Sequence, residues 1–139
     1  MFYLKKLKIA TIITCALIII LELLPWGAVL NFINDPSDPI PYIRKTYSYF
    51  SLTPFGFANF SPLFCAALSV VLLIIHTICN FVKVKKGVYS AAITVNLIAI
   101  VLSITPLMFG LDYYSIVGLM ISISLSVLFA LTYILHKDS

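Results

Sequence analysis

Glu22 closes an uncharged run, Ile9 to Leu21, and is followed within five residues by Pro25, Trp26 and Gly27. An acid at the centre of a membrane helix costs about 2.5 to 3.5 kcal/mol on insertion scales, so an ionisable group there is a candidate for handling protons or ions. Pro25 adds to that reading. Proline has no amide hydrogen and its ring disrupts the turn before it, which frees the Leu21 carbonyl. A kinked helix with a carboxylate at the kink has the make-up of an ion or proton site. The same residues also have a structural reading. Pro25 ends the helix, Trp26 marks the outer interface, and Glu22 pairs with Arg44 or Lys45 as a latch. Contact with a partner or ligand is a third use.

Helical projection gives Glu22 its companions, because residues three, four, seven and eleven apart share a face. Thr11, Cys15, Ile18, Glu22 and Trp26 fall on one face, as do Cys65, Ser69, His76 and Asn80. Ala92, Asn96, Ala99 and Ser103 form a third, and Gly118, Ser122, Ser126 and Ala130 recur every fourth residue. At ~1.5 Å per residue, Ser69, Ser103 and Ser122 come near the level of Glu22, ~20 Å from the inner boundary. These four form the candidate intramembrane polar site. His76 and Asn96 make a second polar layer ~9 to 12 Å from the inner side, where a His76–Asn96 hydrogen bond is expected. The Gly118-Ser122-Ser126-Ala130 series is a small-residue packing stripe. It serves a contact inside the chain or a homodimer seam.

Other chemistry is absent from the pattern. There is no HExxH, no paired His/Cys ligand spacing, no GxSxG and no glycine-rich phosphate loop. Cys15, Cys65 and Cys79 sit in apolar runs with no CxxC, as small packing residues do. Neither enzyme activity nor a cofactor or metal is expected.

The elements that position these residues follow from composition. The 139 residues are 62% hydrophobic and 10% charged, against about 25% charged in soluble domains, and the mean hydropathy is +1.11. A bilayer is the solvent that suits such a chain. Four runs reach the ~20 residues a spanning helix needs: 9–30, 61–82, 88–109 and 114–135. The expectation is an all-α membrane protein, a single domain over 1–139. It is a four-transmembrane-helix antiparallel bundle with a long aromatic-rich first extracytoplasmic loop, 31–60. The net charge of +4 does not point to nucleic acid, since the lysines flank apolar runs. Lys5, Lys6, Lys8, Lys83, Lys85, Lys86 and Lys137 lie on one side, with only Arg44 and Lys45 on the other. The positive-inside rule then puts both termini in the cytoplasm. The first lysines and apolar run imitate a signal peptide, but no small-residue cleavage site follows, so a retained helix is expected.

The first loop has two parts. "NDPSDPIP" is turn-rich. "YIRKTYSYFSLTPFGFANF" holds seven Tyr or Phe among nineteen residues, as segments at a membrane interface do. A short strand or an interfacial helix both fit it. Tyr42, Arg44, Lys45, Tyr47, Tyr49, Phe50, Phe55 and Phe57 form the candidate partner surface, and Asn59-Phe60-Ser61 matches a glycosylation sequon.

"ELLPWGAVLNF" with "YSYFSLTPFGFANFSP" resembles a group of small four-span bacterial membrane proteins that have no assigned activity. The resemblance covers about the first half of the chain. It implies a bacterial plasma membrane and nothing about chemistry. In architecture alone the chain is similar to small multidrug transporters, dimeric four-span proteins with a glutamate in the first span that binds proton and cationic drug. It departs from them in its length, its long aromatic loop, and a glutamate placed before Pro25 near the outer end. The leading expectation is a non-catalytic integral membrane protein, an accessory, scaffold or assembly subunit with a partner-facing outer loop. A proton- or ion-coupled transporter using Glu22 is the alternative. The bilayer is an expected partner, with a membrane protein or a second copy as the further one.

Overall fold

Pro25 organises the first half of the chain. A computed structural model describes residues 2–52 and 60–139. Helix α1 spans Phe2–Leu23. It ends there because Pro25 disfavours helical geometry at Leu24 and has no amide to continue the ladder. The expected span 9–30 is therefore shifted. The helix begins among the lysines, and the residues after Leu23 turn and enter strand β1, Ala28–Ile33. Strand β2, Tyr42–Tyr47, runs antiparallel to it, with Ala28 opposite Tyr47 and Ile33 opposite Tyr42.

The turn between the strands is built by its Asx residues. Asp35 Oδ1 accepts from the Ser37 amide at 3.0 Å and the Ser37 hydroxyl at 2.8 Å. These bonds hold the Asp35 carboxyl below the usual carboxylate range. Asn34 Nδ2 donates to Asp38 Oδ2 at 2.9 Å. The fold is thus mostly helical rather than all-α, and the described part of the first connection carries a hairpin. Its aromatic residues form no cluster among the described residues, where the ring pairs are Phe60–Phe64, Phe109–Tyr113 and Phe129–Tyr133. Phe55, Phe57 and Asn59 of the sequon lie outside the described residues.

Helices α2, Phe60–Phe81, α3, Lys86–Ile104, and α4, Ile116–Asp138, complete the chain. Pro106 tightens the end of α3 into a 3-10 turn, Thr105–Phe109. Gly110 then turns the chain at φ 121°, a conformation that suits glycine. A second 3-10 turn, Leu111–Tyr113, leads to α4, whose N-cap Ser115 accepts from the Gly118 amide at 2.8 Å.

Each helix packs on two others: α1 on α2 and α4, and α3 on α2 and α4. The inner faces of α1, α2 and α3 carry many small or polar residues beside large apolar ones such as Ile18 and Leu72. Thr11, Cys15, Ile18 and Glu22 are buried, as are Ala92, Asn96, Ala99 and Ser103. In α2, Cys65, Ser69 and His76 are buried and Asn80 is half-buried. Outward faces carry large apolar side chains, among them Ile13, Leu17, Ile20, Phe64, Ile74, Ile78, Val101 and Ile123. Among the described residues, three helical segments are long and apolar enough to cross a membrane: Phe60–Phe81, Lys86–Phe109 and Ile116–Asp138. Helix α1 carries Lys5, Lys6 and Lys8 at its start and Glu22 at its end.

The α4 stripe divides. Gly118 and Ser122 are buried, but Ser126 and Ala130 are exposed. Four residues turn a helix by about 400°, so a strict four-residue repeat drifts about 40° per step. The buried seam of α4 follows the mixed three-and-four spacing Gly118, Ile121, Leu125, Leu128, Thr132, Leu135, which keeps one face inward.

Candidate functional site

The last turn of α1 lies against the first half of antiparallel α2. Cys65 and Ser69, one turn apart on that helix, both face Glu22. Ser69 Oγ donates to Glu22 Oε1 at 2.7 Å. Cys65 Sγ lies 3.7 Å from the same oxygen and 3.5 Å from the Ala99 carbonyl. Glu22 is 0% exposed, and its Oε2 has no hydrogen-bond partner among the described residues. An unpaired oxygen of this kind is costly in a low-dielectric interior. The expected partnership with Ser69 is present. The partnership with Arg44 or Lys45 is not: Arg44 Nη2 donates to the Tyr114 carbonyl at 3.3 Å, and Lys45 Nζ lies 5.7 Å from the centre of the Phe32 ring. Proline ends α1 so soon after Glu22 that the two cations are carried away along the hairpin.

Ser103 and Ser122 do not join this group. Their hydroxyls bond each other at 2.8 Å, and Ser122 also bonds the Tyr114 hydroxyl at 2.7 Å. Burial raises the Tyr114 hydroxyl above the usual tyrosine range, against the lowering effect of that bond. The four expected site residues thus form two pairs, one between α1 and α2 and one between α3 and α4.

Tyr49 sits over both pairs, and its burial corrects its assignment to the partner surface. It is 1% exposed, and its amide donates to the Glu22 carbonyl at 2.9 Å. Its ring occupies space that two glycines leave open. A Cβ on Gly27 would stand 2.8 Å from the ring's Cδ1, and one on Gly118 would stand 3.3 Å from its hydroxyl. Burial pushes the Tyr49 hydroxyl well above the usual range, with Cys65, Tyr114 and Glu22 adding to it. Ser115 Oγ donates to the Gly27 carbonyl at 2.6 Å. The hairpin is therefore fastened through Tyr49, Gly27 and Arg44.

Of the other surface residues, Tyr42, Arg44 and Lys45 are exposed, while Tyr47 and Phe50 are half-buried against the core. Trp26 leaves the Glu22 face and is 58% exposed in the turn after α1.

The second layer also differs from expectation. His76 and Asn96 are both buried, but each turns to α4. Thr132 Oγ1 donates to the Leu128 carbonyl at 2.7 Å and lies 3.2 Å from His76 Nε2. The threonine proton is committed to the shorter bond, so Nε2 is the donor, and Nδ1 has no partner among the described residues. With its amide oriented to match its neighbours, Asn96 accepts from the Phe129 amide at 2.9 Å and donates to the Leu125 carbonyl at 3.3 Å. Lys8 Nζ donates to the Cys79 carbonyl at 2.8 Å, capping the end of α2.

Thr132 and Tyr49 are the residues that the sequence pattern misses. Thr132 is on the three-and-four seam of α4, a signal masked by the more regular stripe beside it. Nothing in the sequence separates Tyr49 from Tyr42 or Tyr47. Among the described residues no group of three His, Cys, Asp or Glu side chains is arranged to hold a metal. No family model, curated protein or solved structure matches the chain.

Proposed function

We propose that the chain is a four-span protein of the bacterial plasma membrane, with both termini in the cytoplasm and the hairpin outside. It acts as a non-catalytic accessory, scaffold or assembly subunit. The observation that carries this reading is an apolar ribbon fastened to the helix ends. Ile33 is 93% exposed and stands opposite exposed Tyr42 on one face of the ribbon, and exposed Phe32 and Ile43 stand opposite each other on the other face, while Tyr49 and Gly27 tie the ribbon's base to the helices. Exposed apolar pairs on an ordered, fastened element mark a contact site. Inclusion of α1 as a span rests on where its charges point. Its lysines lie at one end, within reach of headgroups, and Glu22 faces inward rather than toward lipid. Its outer face, Ile9, Ile13, Leu17, Ile20 and Leu23, is as apolar as those of the other helices.

Topology is checked by cysteine substitution and labelling. Ser51→Cys is expected to react only from outside and Gly87→Cys only from inside. The contact surface is checked with a photo-crosslinking side chain placed at Ile33 or Ile43 in cells. One discrete protein adduct is expected at both positions. Lipid adducts alone would end the partner reading.

A second reading, proton- or ion-coupled transport, is favoured by the unpaired Oε2 of Glu22 in a fully buried setting. It requires pH-dependent flux in proteoliposomes that Glu22→Gln abolishes. Unchanged flux in that variant removes Glu22 from any transport mechanism.

A further inference from the structure

A groove of about 450 Å³ separates the root of the hairpin from the α3–α4 connection. Arg44 and Asp112 are among its lining residues, with Trp26 also lining it and Leu111 and Ile116 forming apolar wall. Arg44 and Asp112 form no ion pair among the described residues. Arg44 gives its hydrogen bond to the Tyr114 carbonyl, an uncharged acceptor, at 3.3 Å. The guanidinium keeps further donors in a planar fork suited to phosphate oxygens. Asp112 is exposed. Leu111 is 81% exposed and Ile116 is 80% exposed, so the apolar wall is open to whatever surrounds the helices.

We propose that this groove seats the headgroup of a zwitterionic aminophospholipid, with its phosphate on Arg44, its primary ammonium on Asp112 and an acyl chain along Leu111 and Ile116. The inference rests on the membrane-spanning reading, which puts this groove at the outer headgroup level. Charge complementarity selects the occupant. A purely anionic headgroup leaves Asp112 facing a negative ligand, and a purely cationic one does the same for Arg44. A choline headgroup has the right charges, but its quaternary nitrogen carries no hydrogen to donate to Asp112. Trp26 at the rim presents an indole, the side chain that favours this depth of a bilayer.

Trp26 is also the only tryptophan of the chain, so its fluorescence reports on the groove directly. The purified full chain in mixed micelles is titrated with phospholipids brominated on the acyl chain, carrying ethanolamine, choline or glycerol headgroups. The ethanolamine lipid is expected to reach half-maximal quenching at about a tenfold lower mole fraction than the other two, the scale of one charge-assisted hydrogen bond. Asp112→Asn is expected to erase the preference for ethanolamine over glycerol. Arg44→Gln is expected to weaken all three, with Arg44→Lys falling between it and the native chain. Superimposable curves for the three lipids on the native chain overturn the proposal without any variant. So does a preference that survives both Asp112→Asn and Arg44→Gln. Carbonate extraction of cell membranes separates the two levels of the argument. A chain released into the soluble fraction refutes the spanning reading. A chain retained in the membrane pellet but indifferent to headgroup refutes only the lipid site.

Discussion

At the hairpin end, the hydrogen bonds that pass from one helix to another run mainly between side chains, and Ser69, Ser103 and Ser122 each also bond a carbonyl of their own helix. At the lysine end the bonds between helices run mainly to backbone. Glu22 with Ser69, and Ser103 with Ser122 and Tyr114, are side-chain pairs whose hydroxyl hydrogens can be redistributed by rotation. Asn96 instead meets the backbone of α4 at Leu125 and Phe129, and Lys8 meets the end of α2 at Cys79. His76 reaches a threonine that is itself committed to Leu128. Backbone partners fix the position of a helix, whereas side-chain partners leave room for change. The two ends therefore have different tasks. The lysine end sets helix positions. The hairpin end holds the unpaired carboxylate oxygen and depends on a plug, Tyr49, to close it.

The sharpest way to break this contrast is to remove the plug. Tyr49→Ala empties a fully buried aromatic site, a change that costs about 3 to 5 kcal/mol in other cores. Thermal unfolding in detergent is expected to show a loss of that scale. Tyr49→Phe keeps the ring in its slot and is expected to retain most of the stability. The same pair tests the hydroxyl. Burial raises its pKa, so the folded chain keeps the proton where the unfolded chain releases it. Stability from this group is complete below the unfolded value of about 10 and declines as pH rises above it. Tyr49→Phe is expected to show a smaller loss between about pH 9 and pH 11 than the native chain.

Next in size is the slot itself. A Cβ at Gly27 meets the Tyr49 ring at 2.8 Å, and the ring is too closely packed to withdraw. Gly27→Val is expected to cost about 1 to 3 kcal/mol, the usual range for overpacking. Gly118→Ala meets its neighbours at 3.2 to 3.4 Å and is expected to cost less. If both glycine variants melt like the native chain, Tyr49 is not held by its slot, and the hairpin end is closed by some other contact.

Much of the helix interior is legible in the sequence, and the reason is geometric. Thr11-Cys15-Ile18-Glu22 and Ala92-Asn96-Ala99-Ser103 mix steps of three and four, so they stay on one face of a real helix. The regular series Gly118-Ser122-Ser126-Ala130 drifts off the face, which is why only its first half is buried. The Glu22–Ser69 bond is legible from face and depth together. The Arg44 and Lys45 latch is misread, because distance along the chain says nothing of the direction a hairpin takes after Pro25. Tyr49 is illegible for a related reason. Its place is defined by two glycines, one 22 residues before it and one 69 after it, and neither spacing has a local signature.

The lysine end offers a smaller test. Asn96→Ala removes two bonds to the α4 backbone but leaves that helix's own ladder to satisfy Leu125 and Phe129. Interhelical polar contacts in membranes average about 0.6 kcal/mol and reach about 1.7 kcal/mol, and a loss in that range is expected. Asn96→Asp is the more discriminating variant. It keeps the acceptor toward the Phe129 amide but replaces the donor toward the Leu125 carbonyl with a second oxygen. It is expected to unfold at a lower temperature than Asn96→Ala. The reverse order would mean that the new carboxyl is held protonated and donates to the Leu125 carbonyl in place of the amide.

The smallest effect is expected outside both layers. Ser126 and Ala130 are the exposed half of the α4 stripe, and Ser126 Oγ merely bonds back to the Ser122 carbonyl of its own helix. Ser126→Leu and Ala130→Leu add apolar surface where neighbouring side chains are already apolar. In a monomer each is expected to change stability by less than about 0.5 kcal/mol. In a homodimer joined along this stripe, the same leucines would block close approach of the backbones. Chemical crosslinking of membranes from the native chain and the double variant separates the cases. A dimer band that disappears in the double variant assigns the outer half of the stripe to a second copy. An unchanged pattern with unchanged stability makes it a lipid-facing surface, and it leaves Gly118 and Ser122, beneath Tyr49, as the only part of the stripe that holds anything together.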